Sequence, residues 1–296
     1  MHVFVTGASG WIGSAVVDQL LRDGHEVTGL ARSDASAAAV EAKGARVLRG
    51  DLDDLAGLRA GAEASDGVVH LANKHDWTNM AATNAAERAA VETLADALVG
   101  SDRPLLVASG VAALAKGRPA TEDDVSPFVG VDSPRGGSEN LALSYAERGV
   151  RAVSLRFAPT VHGMRDHGFV SILAAGAREH GVAAYPGYGS TRWAAVHRDD
   201  AARLVSLGLT KAPAGATLHA VAETGVPSRE IAEALGRALD VPAKSVAADE
   251  LGAYVGWLSM FFALDLSATS TATQQLLGWT PTGSTLVEDI DAGAYS

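Results

Sequence analysis

Two short segments carry side chains able to move protons. Lys74, His75 and Asp76 stand in a row between Asn73 and Trp77, directly after the apolar stretch that ends His70-Leu71-Ala72. Ser109 closes a second apolar stretch that begins at Leu105. A pocket can tune any of the three titratable groups toward neutrality. The plainer alternatives are a solvated loop with a His75–Asp76 structural pair, and a strand-end hydrogen bond for Ser109. His162 and His167 stand on either side of Met164-Arg165-Asp166, with a turn or core role as the plainer reading of His162. No histidine or acid spacing matches a metal site, and the chain has no cysteine, so neither a metal nor a thiolate nucleophile is expected. A nucleophile-elbow sequence for Ser-His-Asp hydrolysis is also absent.

A seat for a reaction partner comes earlier in the chain. Val3-Phe4-Val5-Thr6-Gly7-Ala8-Ser9-Gly10-Trp11-Ile12-Gly13 sets three glycines between an apolar strand, His2 to Val5, and an amphipathic helix, Trp11 to Leu21. Unpaired N–H groups and the positive end of the macrodipole make such a helix start suitable for a pyrophosphate. Gly7 would permit the tight turn, Gly10 the approach of phosphate to backbone, and Gly13 the packing of helix on strand. A second strand, Glu26 to Leu30, runs into Ala31-Arg32-Ser33, where an acid would usually hold a ribose 2′-hydroxyl. Arg32 instead offers a planar cation for adenine and a 2′-phosphate, so NADPH is expected in preference to NADH. The alternative for Arg32 is a solvated loop charge.

The elements that must position these groups alternate. Strands are expected at 2–6, 26–30, 45–49, 67–72, 104–108, 151–157 and near 217–221. Helices are expected at 11–22, 34–43, 54–61, 79–99, 136–148, about 168–180 and 199–210. Nearly continuous apolar strands alternating with helices predict an α/β fold, a parallel sheet covered on both faces. The pattern turns helical and irregular from about 222. A cofactor domain is therefore expected at 1–162 plus about 196–221, with a small substrate lobe from about 163–195 plus 222–296. The formal net charge of −11 over 296 residues argues against nucleic acid, and no basic run suggests a membrane surface. A strand starting at residue 2 leaves no room for a signal peptide, so a cytoplasmic location is expected.

In order and spacing the motifs resemble the extended short-chain dehydrogenase/reductase group, the epimerase/dehydratase-like Rossmann proteins. Thr6 to Gly13 is similar to that group's TGxxGxxG fingerprint, Val196-His197-Arg198-Asp199-Asp200-Ala201 to its helix-start motif, and Leu277-Gly278-Trp279-Thr280-Pro281 to its C-terminal motif. The resemblance implies a doubly wound Rossmann-type sheet of about seven strands with a small C-terminal substrate lobe. It implies that Gly7, Ser9, Gly10, Trp11, Ile12 and Gly13 hold the diphosphate, and that Asp51 and Leu52 meet the adenine. Leu71, Ala72, Asn73 and Ala158 would flank the nicotinamide half. Leu155-Arg156-Phe157-Ala158-Pro159-Thr160-Val161-His162-Gly163 is similar to the strand-six signature, with His162 in the tyrosine slot.

One departure stands out. The group's chemistry uses Tyr-x-x-x-Lys, yet the residues four past Tyr145, Tyr185, Tyr188 and Tyr254 are Gly149, Gly189, Arg192 and Leu258. Counting back from the helix end puts Val131 in the tyrosine slot and Arg135 in the lysine slot, where Arg135 can still bind ribose. The chain is thus expected to be an atypical member, with Ser109, Lys74 and His75 as candidate catalytic groups. Asp76, Trp77, His162, Met164, Tyr185 and Trp193 are candidate substrate contacts. Trp193, Trp77, Tyr185, Tyr188, Trp257, Phe261 and Phe262 would wall an apolar pocket, although core packing explains the last three equally well. The expected activity is NADPH-dependent reduction of a partly apolar small molecule, a carbonyl, an imine or a conjugated double bond. Alternatives are a redox-silent regulator that binds NADPH, and a non-reducing epimerase, cyclase or dehydratase. The helices at 79–99 and 136–148 would suit a homodimer, and equally a monomer's core.

Overall fold

Short β-branched stretches give the strands, and alanine-rich amphipathic stretches the helices between them. The structure, a computed structural model, describes residues 1–76 and 78–296, so Trp77 lies outside the described residues. Its strands are β1 (His2–Thr6), β2 (Glu26–Ala31), β3 (Arg46–Arg49), β4 (Gly67–His70), β5 (Pro104–Gly110) and β6 (Arg151–Phe157). These are followed by β7 (Thr160–His162), β8 (Ala183–Pro186), β9 (Arg192–His197), β10 (Thr217–Ala220), β11 (Glu223–Pro227) and β12 (Ala243–Val246). The helices used below are α1 (Trp11–Arg22), α2 (Asp34–Glu41), α3 (Leu55–Glu63), α4 (Met80–Asp96), α5 (Ser138–Ser144), α6 (Phe169–His180), α7 (Arg198–Lys211) and α8 (Ser228–Leu239).

Seven parallel strands form the main sheet in the order β10-β6-β5-β4-β1-β2-β3. The order reverses at β1, which pairs β2 on one side and β4 on the other, so a crevice opens at their carboxyl ends. One face of the sheet is covered by α1 and α7, which bury Val16, Val17, Leu20, Leu204 and Val205. The other face is covered by α3, α4 and α5, with Leu58, Val91, Leu94 and Ala142. A separate apolar cluster, among it Val170, Leu173, Trp193, Ile231, Leu235, Phe262 and Ile290, forms the centre of the smaller lobe. None of the described helices is long and apolar enough to cross a membrane.

Three features differ from the sequence expectation. The segment 136–148 is not one helix, because Arg135, Gly136 and Gly137 are left-handed in succession (φ 55°, 60° and 63°) and α5 starts only at Ser138. Consecutive left-handed residues cannot continue a right-handed helix. The lobe also contains strands, in the sheets β11-β9-β7 and β12-β8, where the sequence reads as helical and irregular. Finally, Leu277 and Trp279 pack in the main sheet's core, and the Trp279 indole donates to the Asp200 carbonyl at 3.1 Å. His197 caps α7, its Nδ1 accepting from Asp199 N–H, while the Asp200 carboxylate accepts from Thr282 and Gly283.

Close approach defines the turn between β1 and α1. Gly7 is left-handed (φ 68°), and a Cβ there would lie 2.8 Å from the Ala72 nitrogen. A Cβ on Gly13 would overlap the Gly7 carbonyl oxygen. Gly13→Ala is expected to destabilise the chain by about 1–3 kcal/mol, the usual range for overpacking, read as a lower urea midpoint. An unchanged midpoint would mean the turn has room to relax.

Candidate functional site

The crevice is built from the β1–α1 turn outward. Gly10 is the N-cap of α1 in extended conformation, no side chain caps the helix, and its first turn holds no acid. The opening N–H groups therefore face the crevice mouth unfilled by the chain, the arrangement that favours an anion. The glycine-lined hollow and these donors fit a diphosphate. Ser9 and Gly10 are exposed at its rim, and Ile12 is half-buried against the core. Trp11 is anchored by its indole, which donates to the Val161 carbonyl at 2.6 Å. The sequence reading had Gly10 opening space for phosphate; its Cβ position meets only the Gly7 oxygen, at 3.2 Å.

On the β2 side, Arg32 is exposed and has no ion pair or hydrogen bond among the described residues. The nearby acid is taken, since Arg49 bonds Asp34 at 2.8 Å, and Ser33 caps α2 through the Ser36 N–H. Asp51 shapes the turn after β3 by accepting from the N–H groups of Asp53 and Asp54, and Leu52 is buried beneath it. Asp53 in turn holds Lys74, with both carboxylate oxygens 2.7 Å from Nζ.

At the end of β4, the buried Thr6 hydroxyl accepts from the N–H groups of both Leu71 and Ala72, at 3.2 Å each. The Leu71 N–H is shared with the Thr6 carbonyl at 3.3 Å, so the Thr6 side chain takes over from the ladder where β4 ends at His70. With two donors already on its oxygen, Thr6 gives its own proton to His70 Nδ1 at 2.8 Å, leaving His70 Nε2–H directed at Glu87, 3.8 Å away. Glu87 of α4 is 1% exposed and also accepts from Arg135 at 2.5 Å and from Asn73 at 3.1 Å. Burial pushes the Glu87 carboxyl up, but Arg135 and His70 together outweigh it and hold the group at about 2. Asn73 accepts the His75 N–H at 2.8 Å, and His75 is left-handed (φ 50°). Partial desolvation, and then the Arg135 charge, lower the His75 pKa, so the ring is neutral at pH 7. Asp76 is exposed and bonded to Thr78.

Ser109, at the end of β5, donates to Glu139 at 2.6 Å. Glu139 is buried and paired with the equally buried Arg156 at 2.7 Å. An ionised carboxylate only accepts, so Ser109 donates this hydrogen bond and keeps its lone pairs as acceptors. Val131 is exposed, and both it and Arg135 precede α5, so the two slots inferred for the tyrosine and lysine lie off the helix. Ala158 is buried, its N–H donating to the Ala220 carbonyl.

The residues expected around the substrate are spread out. Met164 is exposed and Tyr185 is half-buried on β8. Trp193 is 1% exposed, and its indole donates to the Phe261 carbonyl in the lobe's core. His162 is fully buried on β7, with Nδ1 2.6 Å from Asp289 and Nε2 3.7 Å from Glu223. Phe169, half-buried at the start of α6, meets Trp193, Trp257 and Phe261 at ring distances of 5.8, 5.8 and 6.0 Å. Sequence reasoning missed Glu87, Glu139 and Asp289 as partners. A signal existed for Glu87, which interrupts the buried stripe Thr83, Ala90, Val91, Leu94 of α4 with a charge. No group of acids and histidines among the described residues is placed to hold a metal ion.

Glu87→Gln tests the buried carboxylate. Removing one partner of a buried pair costs about 3–5 kcal/mol, and Arg135 is one-third exposed, so a loss of about 2 kcal/mol at pH 7 is expected in chemical denaturation. Because the folded-state pKa lies below the usual 4.5, wild-type Glu87 contributes this stability above pH 4.5 and loses it as pH falls toward 2. The gap between the two proteins should therefore narrow at pH 3. A constant gap would place the stability elsewhere.

Comparison with known proteins bears on this geometry. The model of the NAD dependent epimerase/dehydratase family matches residues 3–221. An uncharacterized protein of Schizosaccharomyces pombe is 44% identical over 296 residues, covering all of both chains. One of Saccharomyces cerevisiae is 42% identical over 298 residues, covering 99% of this chain and 98% of its own. Among solved structures, a dTDP-glucose 4,6-dehydratase from Streptomyces venezuelae with NAD bound superposes with a TM-score of 0.78 at 23% identity, covering 99% and 96% of the two chains. That likeness shows a shared fold. From the glycine turn to the end of the main sheet the family's pattern is continuous, and the chain belongs to the NAD dependent epimerase/dehydratase family.

Proposed function

We propose that this chain is an NADPH-dependent reductase of a partly apolar small molecule, working in the crevice between β1 and β4. The observation that carries the reading is Arg32. It is a guanidinium without a partner among the described residues, one strand from the uncapped start of α1, and its one neighbouring acid is already bonded to Arg49. A free cation at that point suits a 2′-phosphate, and an acid there would repel it. Gly7, Ser9, Gly10, Ile12 and Gly13 would receive the diphosphate, Leu52 the adenine, and Leu71, Ala72 and Asn73 the nicotinamide half. The bound reduced nicotinamide would supply hydride.

The chain's own groups favour a substrate needing little acid help. Lys74 is paired with Asp53, the Ser109 hydroxyl donates its hydrogen bond to Glu139, and His75 is neutral. An iminium carbon takes hydride without any proton, and a conjugated double bond yields an enolate that water can protonate. The Ser109 lone pairs would accept a hydrogen bond from an N–H or O–H of such a substrate. The aromatic group at Phe169 and Phe261 supports an apolar body for it. A ketoreductase of Stigmatella aurantiaca, 32% identical over 167 residues that cover 53% of this chain and 49% of its own, is a further reason to favour reduction.

Calorimetric titration tests the cofactor. Wild-type chain should bind NADPH more tightly than NADH, and Arg32→Ala should weaken NADPH roughly tenfold or more with little change for NADH. Equal losses would remove the case for the 2′-phosphate. Product formed without consumption of reduced nucleotide would replace the reductase reading with a non-reducing one.

A further inference from the structure

Arg198 is the first residue of α7, and α7 packs along α1. Its guanidinium carbon lies 4.2 Å from the centre of the Trp11 ring, and Trp11 is the first residue of α1. The His167 ring also meets Trp11, edge-on at 5.4 Å. Arg198 is half-buried, yet it has no ion pair or hydrogen bond among the described residues. The acids beside it are no substitute. Asp200 is buried and bonded to Arg203, Thr282 and Gly283, and the exposed Asp199 is directed by its helix position away from Arg198.

This is an uncomfortable place for a cation. A guanidinium at the first position of α7 faces the positive end of that helix's dipole, and the start of α1 adds a second positive end beside it. Stacking on an indole offsets part of the repulsion without supplying a countercharge. Gly163 lies beside both residues: a Cβ there would stand 3.5 Å from His197 Nε2, 3.6 Å from the Trp11 ring and 3.7 Å from Arg198 Cβ, all ordinary contact distances. Cation and stacked ring thus adjoin the glycine turn, with no anion among the described residues to complete them.

We infer that Arg198 is a second guanidinium of the cofactor site, held on Trp11 so that it reaches the diphosphate at the start of α1. The inference rests on the cofactor reading above and assigns a residue of α7 to it. Its role differs from that of Arg32. The diphosphate is common to NADPH and NADH, so Arg198 adds affinity for both, whereas Arg32 distinguishes them.

The test is calorimetry of the full chain with NADPH, NADH and adenosine 2′-monophosphate, on wild type, Arg198→Met and Arg198→Lys. Methionine keeps an apolar stem against Trp11 and removes the charge, and a thermal melt checks that each variant is folded. Arg198→Met should weaken both dinucleotides by the same factor, roughly ten- to a hundredfold, and leave adenosine 2′-monophosphate unchanged. Arg198→Lys should recover part of the loss. Unchanged dinucleotide binding in a folded Arg198→Met chain would overturn the inference while leaving the cofactor reading intact. So would an equal loss for adenosine 2′-monophosphate, which has no diphosphate. No heat from wild type with either dinucleotide would overturn both.

Discussion

Where β1 enters α1, backbone lies against backbone with nothing between. Gly13 stands over the Gly7 carbonyl and Gly7 against Ala72, so strand, helix and the end of β4 meet at distances that exclude any side chain. That contact brings the start of α1 to the bottom of the crevice and turns its free N–H groups toward whatever lies there. Thr6 fixes the other wall. Its hydroxyl accepts from the Leu71 and Ala72 N–H groups at the end of β4 and donates a hydrogen bond to His70. The floor of the crevice is thus mostly backbone, and its shape depends on the absence of Cβ atoms at two positions.

Around that seat the polar side chains are organised by two buried acids. Glu87 gathers Arg135, Asn73 and His70, and Glu139 gathers Arg156 and Ser109. Buried carboxylates must be paired or strongly hydrogen-bonded, and each recruits the donors nearest the crevice. The consequence for chemistry is substantial. The Ser109 hydroxyl and the Arg135 cation are already engaged by buried acids, which determines what they can still offer to the crevice. Ser109 offers acceptance and Arg135 charge.

The lobe follows a different logic. Its sheets are short, and its centre is aromatic, with Trp193 enclosed by Phe169, Phe261 and Phe262. His162 links this lobe to the main sheet, since β7 immediately follows β6 and its ring is bonded to Asp289 of the last helix, Leu286–Asp291. A fully buried histidine between two acids is a hinge of packing between layers, and the exposed surface nearby belongs to Met164 and Arg165.

Local chemistry was readable in advance. An apolar strand, three glycines at fixed spacing and an amphipathic helix specify the turn without help from distant residues, and the main sheet's seven strands follow from apolar stretches that stand alone. The break at Arg135 to Gly137 was harder to read, because two glycines and a proline permit a left-handed run without requiring it. The four-residue strands β8 and β12 carry no periodic signal and exist only through pairing with each other across the lobe. Which groups can give up a proton was likewise beyond sequence reasoning. The amino-acid order determined the sheet and the anion seat, whose forces act between near neighbours; folding decided the partners of Ser109, Lys74, Arg135 and Arg198, because each is supplied by an element far away in the chain.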